Sequence, residues 1–376
     1  MFSRKLFFVL LPVLLVTACK GKTSAPEVDF VADTVELAYA KGFSIEEFAG
    51  YDKVTVHNPW QPELRLAVYY LVEADSVTTP SDGLKIKVPV SSVAVSSVTQ
   101  VGFLDVLGAI DKVTGSCSPE LIYQPELRQK ASNGQLVHLG DAFTINVERT
   151  MQLKPSVVVM SGYKQDDPYA ERVQKAGIPV VYNNEWMEET VLGRAEWMKF
   201  MALLVGEEAK ADSIFNSIAT AYTDLCKLVP AGDKRPEVLV GSNFRGTWYM
   251  PGGDSYMARM LQDAGGNYFY ANDSTKGSLP LNVESALKNF ATADVWVNCN
   301  FESRSELIET DGKHALFGAV KTAKVYNFNK LLLPSGANDY WESAVARPDW
   351  LLKDLIYIMH PELLPGHTLR YYQQLK

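Results

Sequence analysis

Metal-binding residues are scarce in this chain and widely scattered. Of 376 residues, five are histidine and four are cysteine. His57, His138, His314, His360 and His367 stand alone, with no second histidine at i+2 or i+4 as a shared metal site favours. Cys117, Cys226 and Cys299 are too few and too far apart for a disulfide framework or a zinc site. Cys226 falls in a helical pattern and Cys299 ends a strand-like run, so both read as buried thiols. Positive charge is also in deficit: 36 Lys and Arg against 44 Asp and Glu leave a net charge of −8. With no basic stripe to neutralise phosphates, nucleic acid is excluded as a partner. There is no Gly-x-Ser-x-Gly elbow, Walker-type phosphate loop, Gly-x-Gly-x-x-Gly turn or metalloprotease motif, which argues against an enzyme. Pro251-Gly252-Gly253-Asp254-Ser255 could look like an anion cradle at a helix start, but is more simply a turn followed by a cap. The acidic pairs Asp166/Asp167 and Glu188/Glu189 read as solvated surface. An exported enzyme stays as a remote rival, and a cell-surface adhesin sits badly with the α/β pattern below.

Long apolar runs are missing too. Leu6–Val16, preceded by Arg4 and Lys5, falls short of the roughly 20 residues needed to cross a bilayer. Its charged start and small residues before a break fit a secretory signal over residues 1–18. Cys19 directly after Thr17-Ala18 makes the segment resemble a bacterial lipoprotein signal, which implies that Cys19 is acylated and becomes the first mature residue. Such a chain is exported and anchored to a membrane face without spanning it. Losing Arg4 and Lys5 with the signal takes the charge from −8 to −10. Lys20–Pro26 reads as a flexible tether within a first segment of residues 19–50.

What is present, twice, is one supersecondary unit. Asn146-Val147-Glu148 opens a short helical stretch that feeds the apolar run Val157–Met160, and Asn282-Val283-Glu284 does the same before Val295–Val297. Asparagine suits a helix cap and a carboxylate is favoured in the first turn. The repeat predicts two similar lobes with one outward-pointing glutamate each. Residues 51–188 make the first lobe, beginning with a β-rich stretch to Pro89. Residues 189–235 are connecting helices, and residues 236–376 make the second lobe. In the connector Ala211, Phe215, Ile218, Tyr222, Leu225 and Val229 form one apolar stripe. About 22 helical residues there span about 33 Å, enough to reach from lobe to lobe. Strands alternating with helices point to an α/β protein with parallel sheets.

Several segments, in order, resemble the substrate-binding proteins that serve ABC importers of iron–siderophore complexes, haem and cobalamin. They are Ser96–Gly108, Gly140 followed by Asn146-Val147-Glu148, Leu153–Val159, Ala176–Val181, the connecting helix, Asp263–Asn267, Asn282-Val283-Glu284 and Ala346-Arg347-Pro348. The likeness covers roughly residues 90–360. Ser156 stands where the family usually has aspartate, and the stretch from Tyr51 to Pro89 has no counterpart. The resemblance implies two α/β lobes joined by a single stiff helix, a guest held between them, and no catalysis or resident cofactor. It implies further that Glu148 and Glu284 dock onto the importer's permease dimer, with the binding protein monomeric.

Ligands of open α/β sheets bind at the carboxyl ends of strands. That rule selects the loops Ser161–Asp167, Asn243–Pro251, Asn300–Arg304 and Pro334–Trp341. The candidate ligand contacts are Phe143, Tyr163, Phe244, Arg245, Trp248, Tyr249, Arg304 and Trp341, with Tyr340 beside the last. Aromatic faces suit a large flat or hydrophobic chelate. Arg245, Arg304 and Lys164 could neutralise an acidic iron–siderophore complex, while aromatic walls with few charges would suit a corrinoid or haem. The charges tilt the expectation toward the iron chelate.

Overall fold

The computed structural model describes residues 31–163, 166–232 and 235–376. The signal, Cys19, the tether and Lys164 lie outside them. Among the described residues no helix is long and apolar enough to cross a membrane.

The first lobe is built on a five-stranded, all-parallel sheet. Its order is Val180–Tyr182, Val157–Met160, Val93–Val95, Val113–Ser116, Val137–His138. Strands covered on both faces read as unbroken β-branched runs, and Val157-Val158-Val159 is such a run, fully buried. The second lobe repeats the plan with Val238–Val240, Val295–Cys299 and Val325–Asn327 in parallel, closed by the antiparallel Gln373–Gln374. Beside it lies a small antiparallel sheet of Asn243–Phe244, Thr247–Pro251 and Ser278–Leu281. The first two of these strands fall where the sequence suggested only a loop.

The repeated unit forms as its residues require. Asn146 caps the helix Val147–Leu153 by accepting the Arg149 N–H at 2.9 Å, and Asn282 caps Val283–Phe290 by accepting that of Ser285 at 2.8 Å. Glu148 and Glu284 sit in the first turns, both exposed.

The connector is three helices, Val191–Glu196, Met198–Val205 and Glu208–Leu228. Gly206 ends the second with a φ of 79°, a left-handed geometry that glycine adopts freely. The 21-residue third helix is about 31 Å long and buries Ala211, Phe215, Ile218 and Tyr222, four of the six residues of the predicted stripe, while Leu225 and Val229 are only partly buried. The lobes also meet directly, where helix Val98–Val106 crosses helix Asp339–Ala346. A Cβ on Gly102 would stand 2.1 Å from the Glu342 carbonyl oxygen, so the two backbones touch there. The Glu342 carboxylate reaches across and accepts the Tyr123 N–H at 2.7 Å.

The added β stretch is larger than its sequence signal. Its sheet starts at Val31, within the first segment of residues 19–50 and ahead of the expected start at Tyr51, and runs Val31–Val35, Phe43–Phe48, Tyr51–His57, Arg65–Val72, Leu84–Lys87 in spatial order. One face delivers Phe43, Ile45, Val54, Val56, Tyr69 and Leu71 to the main core. The turn between its first two strands lies on the connector. Glu196, fully buried, accepts the N–H groups of Ala38, Tyr39 and Ala40 at 3.0, 2.7 and 2.8 Å. Glu188 accepts those of Lys41 and Gly42 and the Trp197 indole N–H. The reading of Glu188 as solvated surface is therefore corrected: it is buried, and burial raises its carboxyl above the usual range against those hydrogen bonds. Its neighbour Glu189 is part-exposed and pairs with Lys41 and Lys276. Cys299 is buried as expected and its thiol is pushed up to about 12 by burial; Cys226 is only partly buried and is pushed up to about 11.

Candidate functional site

A cavity of about 640 Å³ opens at the carboxyl ends of the second lobe's strands, where open α/β sheets bind ligands. Its floor comes from Val240-Gly241-Ser242, from Asn298 and Asn300, and from Phe328, each at or just past a strand end. Phe244 and Tyr249 project from the hairpin on one side, and Tyr340 and Trp341 open the helix Asp339–Ala346 on another. Tyr256 and Met257 contribute from the first turn of the helix Tyr256–Asp263. The first lobe closes the space with Trp186 and Met187, and Lys276 to Ser278 form part of the lining. The volume suits a bulky small molecule, and the wall is rich in aromatic residues with polar groups among them.

Two buried polar arrangements hold the walls. Asn298 lies in the left-handed region (φ 58°) at an irregularity in its strand. Its Nδ2 donates to the Tyr340 hydroxyl at 3.0 Å, and its Oδ1 accepts from the Tyr372 hydroxyl at 2.5 Å. A non-glycine residue held there costs backbone strain, and such strain collects at binding sites. Burial pushes the Tyr340 hydroxyl well above its ordinary pKa, so it stays neutral. Behind Tyr256, the Arg194 guanidinium lies 4.1 Å from the ring centroid and pairs with Glu185 at 2.7 Å. Burial opposes the Arg194 charge, but the Glu185 carboxylate overrides it and keeps the group protonated. Both ions are therefore spent on each other, and neither offers net charge to a guest.

Phe244, Tyr249 and Trp341 are brought together around the cavity, each with about half its surface exposed. Phe143 and Tyr163 form a run on the first lobe: their ring centroids are 4.6 Å apart, and Tyr163 stacks on Trp186 at 5.7 Å. The run reaches the cavity only through Trp186. Trp248 must be corrected. It is fully buried, donates its indole N–H to the Val240 carbonyl and packs among Trp296, His314 and Phe317. Strand alternation explains this, since Trp248 and Tyr249 point to opposite faces of the hairpin. Arg304 is also corrected. It starts the helix Arg304–Thr310, its N–H bonded to the Lys376 carbonyl, and it is absent from the cavity wall. Arg245 occupies the hairpin turn at φ 52° with its guanidinium over the Phe244 ring, so it braces a wall residue without lining the cavity. Trp186, Tyr256, Asn298 and Phe328 were missed. Trp186 and Phe328 follow strand ends and could have been found by the rule that selected the other loops; nothing local marks Asn298.

The sequence pattern of the periplasmic binding protein family matches residues 93–330, more than half of the chain. The chain belongs to that family. It is a solute-binding protein of the kind that serves ABC transporters, not an enzyme, and it works outside the cytoplasm. An uncharacterized lipoprotein of Methanocaldococcus jannaschii is 27% identical over 322 residues, covering 82% of this chain and 80% of the relative. The fold is shared with a periplasmic haem-binding protein from Pseudomonas aeruginosa at a TM-score of 0.61 and 15% identity, covering 76% and 98% of the two chains. It is shared as well with a Helicobacter pylori protein solved with Ni(II) bound, at 0.58 and 16%, covering 78% and 91%. In this binding protein the match starts at residue 93, so the added sheet, whose last strand ends at Lys87, lies wholly ahead of it.

Proposed function

We propose that this protein is the lipid-anchored binding component of an ABC importer and that it captures a metal wrapped in an organic chelator, of the iron–siderophore type. One observation carries the reading. The cavity of about 640 Å³ is walled by Trp186, Phe244, Tyr249 and Trp341, and no group of three or more His, Cys, Asp or Glu among the described residues could hold a bare metal ion. A guest that brings its own ligands to the metal and presents an organic surface fits that wall. The haem-binding protein and the protein solved with Ni(II) bound, which share the fold, support the choice of a metal-containing guest. Lipoprotein relatives support acylation of Cys19.

A corrinoid or haem is the second reading, and a specific observation favours it. Of the cations invoked for an acidic chelate, Arg245 and Arg304 are off the wall, and the lining lysine, Lys276, pairs with Glu189 at 2.8 Å. Titrating ferric siderophores, cobalamin and haem against tryptophan fluorescence separates the two, because Trp186 and Trp341 report from the wall. Trp341→Ala is expected to weaken binding of the true guest by about tenfold or more, the loss of a large ring from the cavity wall. Affinity equal to the parent protein would remove Trp341 from the site.

Delivery is assigned to Glu148 and Glu284, which occupy equivalent turns of the two lobes and are exposed. Glu284 pairs with Lys313 at 2.6 Å, which holds its carboxyl below the usual range; a permease cation would compete with that lysine. Two such charges set orientation and encounter more than affinity. The double substitution Glu148→Ala with Glu284→Ala is expected to cut uptake in cells by about tenfold or more while guest affinity stays unchanged. Normal uptake by the double variant would refute the docking role.

A further inference from the structure

Among the described residues, Lys276 is the one member of the cavity wall that is charged at neutral pH, and no acid lines the cavity. Its backbone is fixed. The Gly252 N–H donates to the Gly277 carbonyl at 2.8 Å and the Asp254 N–H to the Thr275 carbonyl at 3.1 Å. A Cβ on Gly252 would strike the Thr275 carbonyl oxygen, so the two stretches of main chain touch. The side chain is not confined in the same way. It is 61% exposed, and its Nζ lies 2.8 Å from Glu189 Oε1. An ion pair this open to water costs little to break.

Glu189 does not depend on Lys276 alone. Its other oxygen, Oε2, lies 3.3 Å from the Lys41 Nζ. Lys41 belongs to the turn of the added sheet, where Glu188 accepts the Lys41 and Gly42 N–H groups and so anchors the main chain. The lysines, Lys276 first, hold the Glu189 carboxyl below the usual range, so it stays ionised. Two ammonium groups thus share one carboxylate. Neighbouring charges do not supply a second: Asp254 pairs with Arg259 at 3.0 Å, Glu185 with Arg194, and Asp273 accepts the Thr275 N–H without lining the cavity. We propose that Lys276 is the anion-recognising residue of the cavity, leaving Glu189 for a carboxylate on the guest while Lys41 keeps Glu189 paired. The inference rests on the reading of the cavity above and narrows it to guests with a free negative group. Against a wall rich in aromatic residues, a charge-assisted hydrogen bond to the guest is stronger than the solvated pair it replaces. The added sheet, which lies ahead of the family match, then acts on guest binding through Lys41.

The test uses two guests with free carboxylates, ferric citrate and haem, and two without net charge, ferric tris(acetohydroxamate) and cyanocobalamin. By calorimetric titration, Lys276→Met is expected to weaken the anionic guest that the parent protein binds by about tenfold or more, and Lys276→Arg to retain most of its affinity. Glu189→Gln frees Lys276 and is expected to tighten the same guest about threefold, whereas Lys41→Met leaves Glu189 to Lys276 alone and is expected to weaken it about threefold. Glu189→Gln and Lys276→Met break one ion pair, so a pair that serves only the fold would give both the same sign. Losses of equal size in those two variants would therefore overturn the role of Lys276. Preference of the parent protein for a neutral guest, with no effect of Lys276→Met, would overturn that role and leave the capture of a metal-containing guest standing. Failure of the parent protein to bind any of the four overturns the reading of the cavity and the inference with it.

Discussion

Replacing Glu196 by alanine is expected to lower the unfolding free energy by about 2–4 kcal/mol, because it removes a buried carboxylate that accepts three backbone N–H groups at once. The carboxylate takes three consecutive N–H groups, those of Ala38, Tyr39 and Ala40, and lies 3.2 Å from the Lys199 ammonium. Alanine leaves the three N–H groups without that partner, and of the three residues Ala40 is the buried one. Urea denaturation measures the loss. Limited proteolysis is expected to cut near residues 36–42 in the variant first, since that turn is tied to the connector by Glu196 and Glu188. Glu196→Gln should lose less, because one oxygen still accepts. A midpoint unchanged within error in Glu196→Ala would mean that the turn is held by the packing of Phe43 on Trp197 and of Tyr39 on Phe215 instead. The added sheet then acquires a physical role: it is a brace on the helices that join the lobes.

The second large effect concerns Glu342, on the face where the lobes touch. Burial, with Asp339 and Asp105 adding to it, pushes its carboxyl up to about 8 from an ordinary 4.5, against the hydrogen bonds from Tyr123 and Gln124. The folded state thus holds a proton that the unfolded chain releases at much lower pH. This group's penalty is absent below about pH 4.5, grows as pH rises through the interval, and is complete above about pH 8. Integrated over that interval it amounts to roughly 4–5 kcal/mol. Glu342→Gln keeps an acceptor for the Tyr123 N–H and cannot ionise. It is expected to match the parent protein near pH 5 and to be more stable by several kcal/mol near pH 9, on the order of the penalty removed. Parallel stability curves for the two proteins from pH 5 to 9 would show that Glu342 ionises freely and that the contact is wet.

Much of the architecture was legible in the chain because it is written in local signals. The asparagine caps at 146 and 282, the glycine at 206, the unbroken valine runs and the four-and-three spacing from Ala211 to Tyr222 each act within one or two turns of backbone. The rule that ligands gather at strand carboxyl ends selected Phe244, Tyr249 and Trp341, which the structure places on the cavity wall. The same rule could not tell Tyr249 from Trp248, because two adjacent residues of a short strand differ only in which face the core covers.

The alternation of helices and strands beyond residue 90, the doubling of the Asn-Val-Glu unit, the length of the connecting rod and the shortage of metal ligands were determined by the amino-acid sequence alone. Which carboxylates are buried, which aromatics meet, and which charges share a partner were decided only by the tertiary structure. The physical reason is distance along the chain. Glu196 meets Ala38, Glu342 meets Tyr123, and Asn298 meets Tyr372 across 74 to 219 residues, and no local pattern of charge or hydropathy records which pairs will share a buried hydrogen bond.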